Sequence, residues 1–113
     1  MDKLTTYRTL IQKLLQEHVD IAERNPSPTR ETHLIVDEKR DRYMLFDTGW
    51  WDIERIHTPV LYVRLHQGRI WIEEDWTEDG LATELVAQGV PKDEIVLAFH
   101  HPIVRSLTEF AIA

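Results

Sequence analysis

The stretch VLYVRLHQGRIWIEE, residues 60–74, decides the fold. Two runs rich in β-branched and aromatic residues flank the pair Gln67-Gly68, which suits a two-residue turn, so the segment reads as a β-hairpin. In the register that turn sets, Leu65 faces Ile70 and Val63 faces Ile72, giving one apolar face. On the other face Arg64 meets Trp71 and Tyr62 meets Glu73. An exposed guanidinium over an indole contributes about 0.5–1 kcal/mol. His66 and Arg69 fall at the turn, poorly placed for catalysis. A lone hairpin is at best marginal in water, so the rest of the chain must cover its apolar face.

Downstream, residues 81–88 (LATELVAQ) place Leu81/Leu85 and Ala82/Val86 four residues apart, the spacing of a helix face. Thr77 is the expected cap, with Glu78 and Asp79 in the first turn complementing the helix dipole. Gly89-Val90-Pro91 ends the helix: glycine suits the left-handed position, Val90 can fold back on Leu85, and proline cannot continue. Residues 95–99 (IVLAF) form a fifth strand candidate, and residues 110–113 a weak edge strand.

Upstream, 32–37 and 42–47 are strand-like runs separated by four polar residues, a second hairpin. If Asp37 opposes Arg42, one face carries His33, Ile35, Met44 and Phe46, and the other Leu34, Val36, Tyr43 and Leu45. Neither face is polar, so both require cover from helices or from a second copy in a homodimer. A loop at Asn25-Pro26-Ser27-Pro28-Thr29 separates this hairpin from an N-terminal helix of about 20 residues, roughly 30 Å long. Leu4, Tyr7, Ile11, Leu14, Leu15, His18 and Ile21 form its apolar stripe, Asp2 its N-cap, and His18 reads as a packed histidine. The whole is a single α+β domain over 1–113: a long N-terminal helix packed on a mainly antiparallel sheet, with a second helix.

The 113 residues leave room for one core. No apolar run exceeds 95–99, and the opening MDKLTT has no apolar signal region, so a cytoplasmic, non-membrane protein is expected. The absence of cysteine removes disulfides, thiolate nucleophiles and zinc–sulfur sites. Thirteen basic against 20 acidic residues give a formal net charge of −7, which disfavours direct nucleic-acid binding. The imbalance concentrates after residue 48, where 11 acids accompany 5 bases. Within it, Glu73, Glu74, Asp75, Glu78 and Asp79 form a base-free run: a solvated loop, or an acidic face that docks a basic protein.

Phosphate-loop, dinucleotide, zincin and hydrolase-elbow motifs are all absent, so no catalytic residue, metal or cofactor is assigned. His100-His101 with Arg105 is the one chemical constellation, in which an imidazole base and an arginine on phosphate would suit a metal-dependent nuclease or phosphodiesterase. Adjacent residues on an extended segment point apart, however, which leaves one ring against Phe99 and the other in water. The four tryptophans offer another reading: Trp50, Trp51 and Trp76 lie near loops or strand ends, as core plugs or as anchors for a partner.

Four segments, residues 1–18 (MDKLTTYRTLIQKLLQEH), 41–50 (DRYMLFDTGW), 68–75 (GRIWIEED) and 77–113 (TEDGLATELVAQGVPKDEIVLAFHHPIVRSLTEFAIA), carry a resemblance that spans nearly the whole chain. The sequence resembles the XisI family, the fdxN element excision controlling factor proteins of cyanobacteria. It departs from that pattern at His101 and Leu107. The resemblance implies an accessory protein for programmed DNA element excision in heterocyst differentiation, working beside a XisH-like partner of nuclease-like fold and a separate site-specific recombinase. It brings no catalytic residue with it. Such a protein would bind its XisH-like partner as a noncatalytic regulator, or restrain it as an antitoxin-like inhibitor.

Overall fold

The computed structural model describes residues 2–112, so the last position of the expected 110–113 edge strand lies outside the described residues. The Asp2 carboxylate accepts from the Thr5 N–H at 2.9 Å and opens helix α1 (Lys3–Arg24). This satisfies one of the donors that a helix start leaves unpaired. The helix buries Tyr7, Ile11, Leu14, Leu15 and Val19, while Leu4 and Ile21 of the expected stripe are exposed. Steps of four residues from Tyr7 lead to Val19. Ile21 stands two residues further, about 200° around the axis and away from the sheet.

Strands β1 (Arg30–Asp37), β2 (Arg42–Trp51), β3 (Glu54–His66) and β4 (Arg69–Asp75) form an antiparallel meander. Helix α2 (Leu81–Ala87) then crosses to β5 (Ile95–Leu97), which lies parallel to β4, giving the order β1-β2-β3-β4-β5. A four-residue helix, α3 (Pro102–Arg105), and a bridge between Ala111 and Val96 complete the chain. The fold is α+β, as read from the sequence. Tyr43, Leu61, Val63, Ile70, Ile72, Leu81, Leu85 and Ile95 are fully buried where α1 and α2 cover one face of the sheet.

Both hairpin registers carry through in their central pairs: Asp37 opposes Arg42, Val63 opposes Ile72 and Leu65 opposes Ile70. Tyr62, however, pairs with Glu74 rather than Glu73, because the β3–β4 register shifts between Tyr62 and Val63 and leaves Glu73 as the extra residue. A further hairpin escaped the sequence reading. β2 and β3 continue past Asp47 and back to Glu54, so that Trp51 pairs with Glu54 around a tight turn at Asp52-Ile53. Pro59 hid it, since proline argues against a strand, but it sits where the β2–β3 register shifts, and a bulge tolerates proline.

The second helix also begins later than expected, with Gly80 rather than Thr77 at its cap. The Asp75 carboxylate accepts from the Thr77 N–H at 2.8 Å and from the Leu81 N–H at 2.6 Å, so residues 76–80 wrap around it before the helix starts. Glu78 and Asp79 therefore precede α2. Its C-terminus follows the expected pattern: Gly89 has φ +97°, its N–H reaches the Val86 carbonyl, and the Val90 N–H reaches Leu85. β5 stops at Leu97, short of the expected Phe99, whose ring lies exposed.

Three polar ties fix α1 along its length. Arg8 donates to both carboxylate oxygens of Asp41, Lys3 and Tyr7 both donate to Glu94, and His18 Nε2 lies 3.0 Å from Glu84 on α2. The Arg8 hydrogen bonds hold the Asp41 carboxyl below the usual carboxylate range, and Lys3 with Tyr7 does the same for Glu94. Burial, with Asp41 beside it, pushes the Tyr43 phenol up to about 12.

Candidate docking surface

The residues singled out in the sequence fall into two separate regions. Trp50 and Trp51 lie at the tip of the β2–β3 arm beside Ile53, all three exposed, with Arg55 stacked 5.2 Å from the Trp50 ring centre. Trp76 lies at the end of β4, where its backbone N–H bonds the Val60 carbonyl. Glu54 at the tip and Val60 are six residues apart on β3, or about 20 Å. The tip and Trp76 therefore do not form one contact patch.

Trp76 does join Phe99, which the sequence marks as a strand residue and as the packing partner of a neighbouring histidine. Together with Glu73, Glu74 and Asp75 they line a shallow cup of about 410 Å³. Trp76 is 76% exposed and Phe99 48%. The indole N–H donates to Glu74 at 2.9 Å, which orients the ring without hiding its faces. The signal for Phe99 was its place at the end of an apolar run, where β5 ends and the chain turns away from the sheet.

The five acids are not equivalent. Glu73 is held by Arg64 at 2.7 Å, and Asp75 is committed to the Thr77 and Leu81 backbone. Glu74 bonds only the neutral indole, and Glu78 and Asp79 are exposed. With Thr77, Gly80, Glu84 and His18, Glu78 and Asp79 line a second hollow of about 280 Å³ between the two longer helices. A cation approaching this region meets the carboxylates of Glu74, Glu78 and Asp79, while the other two charges are largely answered within the fold.

The His100–Arg105 constellation is held by a different set of contacts. Arg105 donates to the carbonyls of His100, Ala98 and Ile112 and lies 5.7 Å from the Trp71 ring centre, with Arg64 5.2 Å from the same ring. Its guanidinium thus ties the C-terminal segment to the sheet, and its donors are aimed at the backbone. His100 tilts against Phe99 at 4.6 Å between centres, and His101 accepts from the Ile103 N–H at the start of α3. Among the described residues, no group of three or more His, Asp or Glu side chains is placed to hold a metal.

This sheet-and-helix arrangement is shared with known proteins. The XisI protein family's sequence model matches residues 1–112. The chain belongs to the XisI family. Among solved structures, it is similar to the fdxN element excision controlling factor XisI from Anabaena variabilis ATCC 29413, at 42% identity and a TM-score of 0.86, covering 99% of this chain and 100% of that one. It is also similar to a XisI-like protein from the same organism, at 32% identity and a TM-score of 0.87, covering 97% of this chain and 99% of that one. A comparison with curated proteins finds no match. Within the XisI fold seen here, the exposed aromatics and the three available carboxylates are among the features that the packing of the core does not use.

Proposed function

We propose that this XisI-family protein is an excision-controlling accessory factor that acts by binding a XisH-like protein, without catalysing a reaction itself. One observation carries the reading: Trp76 and Phe99, both large and exposed, form a cup whose nearest unneutralised charge is negative. Tryptophan is among the residues enriched at binding hot spots. Here its surroundings suit a partner that brings an aliphatic or cationic side chain into the cup, with Glu78 and Asp79 steering the approach from the side. The likeness to an fdxN element excision controlling factor supports the process in which such binding would matter.

The test is co-expression with a XisH-like protein, followed by isolation of the complex and measurement of its association rate. Trp76→Ala should weaken the complex by about 2 kcal/mol or more, roughly 30-fold, as expected of a central aromatic anchor. Replacing Glu74, Glu78 and Asp79 with their amides should slow association about tenfold at low salt and flatten its salt dependence. An isolated pair that forms no complex, or one indifferent to Trp76, rejects the docking role. Turnover of DNA by the purified chain alone would reject a noncatalytic factor. The partner's nuclease activity in the complex separates a stimulating factor from an antitoxin-like inhibitor.

A further inference from the structure

The sheet has a second face, and none of the longer helices covers it. The first hairpin was expected to need cover on both sides, yet α1 and α2 shield only the face bearing Tyr43, Leu45, Leu61 and Val63. On the opposite face the register places Ile35 beside Met44 and Met44 beside Tyr62, with Phe46 next along β2. Ile35 is 50% exposed, and Met44, Phe46 and Tyr62 are each half-buried, with part of their surface in solvent. Further along the same face, beyond Arg64, the C-terminal segment reaches over through Arg105 on Trp71. The apolar stripe from Ile35 to Tyr62 is left open.

We infer that this open face is the contact surface for a second copy of the same chain, two sheets stacking across a two-fold axis. The protein exposes 7431 Å², against about 6,500 Å² for a folded monomer of 13.4 kDa. The surplus is spread between this face, at Ile35, and the arm tip and C-terminal segment, where Trp51, Ile53, Ile103 and Leu107 are exposed. Two copies at −7 each repel, and the face that joins them must carry little of that charge. The register puts Arg42, Arg55 and Arg64 here against Glu31, Asp37, Glu73 and Glu74, so the face is nearly neutral while the excess acid lies elsewhere. In shape, a sheet face stacks on a like face at about 10 Å spacing, and a two-fold axis lets one self-complementary patch serve both partners. The stripe ends beside the cup, since Tyr62 pairs with Glu74, which accepts from the Trp76 indole, but the dimer rests on Ile35, Met44 and Phe46 and not on Trp76.

The native chain should sediment as a dimer at micromolar concentration in analytical ultracentrifugation. Ile35→Glu should raise the dissociation constant about 100-fold or more, since the axis presents each substitution twice and buries two unpaired carboxylates. Ile21→Glu, at an equally exposed isoleucine on the helical side, should leave the dimer unchanged. Far-UV circular dichroism reports whether each variant is folded. Should Ile35→Glu fail to fold, Ile35→Cys offers a milder probe, because the chain has no other thiol. Under reducing conditions its alkylation should be slow in the dimer and quicken on dilution. A native chain that stays monomeric at several hundred micromolar overturns the inference. So does a dimer unaffected by Ile35→Glu, one broken by Ile21→Glu, or an Ile35→Cys variant whose thiol reacts at the same rate at every concentration.

Discussion

Asp75 illustrates how a charge in an acidic run can belong to the fold rather than to a docking face. Its Oδ1 accepts from the Thr77 N–H at 2.8 Å and also from the Thr77 hydroxyl, while Oδ2 accepts from the Leu81 N–H at 2.6 Å. Asp75→Asn keeps the size and removes the charge, but leaves only one acceptor oxygen. If that oxygen stays on Thr77, the new amide N–H points at the Leu81 N–H, donor against donor. If the amide flips, Thr77 loses its acceptor instead. An unsatisfied donor of this kind costs about 1–3 kcal/mol, and loss of a side-chain acceptor at a helix start falls in the same range. For a chain of this size, each kcal/mol lowers Tm by about 4 °C, so Asp75→Asn should melt about 4–13 °C below the native protein. Thermal unfolding followed by circular dichroism measures this, with urea titration as a second estimate. Glu74→Gln, which touches only the Trp76 indole, should leave Tm within about a degree or two. Equal stability of Asp75→Asn and the native chain would refute the wrapping of residues 76–80 around this carboxylate. A loss of partner binding by an Asp75 variant would then have to be read as a charge effect.

Two further outcomes follow from the packing. Gly49→Ala should destabilise by about 1–3 kcal/mol in urea titration, because a Cβ there would lie 2.1 Å from the Thr29 carbonyl oxygen and 2.8 Å from the Arg30 Cα, backbone atoms that cannot swing aside. On acidification, the stabilisation from Asp41 and Glu94 should be intact above the ordinary carboxylate pKa of about 4 and disappear as pH falls through their lower folded-state values. Asp41→Asn should accordingly flatten the fall in stability below about pH 4, as measured by urea midpoints across the acid range. An unchanged slope would remove the Arg8–Asp41 pair from that account.

Elements whose signals are local were legible in the linear order of residues. Asp2 three residues before the Thr5 N–H it accepts from, apolar positions in steps of four from Tyr7, the Gln67-Gly68 turn and Gly89-Val90 after α2 all depend on neighbours within a few residues. Alternation in 32–37 and 42–47 likewise showed that the first hairpin is apolar on both sides. Tertiary structure alone decided the rest, because those choices rest on distant partners. Pro59 becomes a strand residue only when a register shift accommodates it, and Asp75 becomes structural only when Leu81 closes on it. Arg105 is withdrawn from chemistry by three carbonyls and an indole that the linear order does not bring together. Which face of the hairpin the helices would cover, and which would remain open at Ile35, was equally beyond the sequence. Both faces offer apolar area of similar worth, and only the path of the chain across the sheet chooses between them.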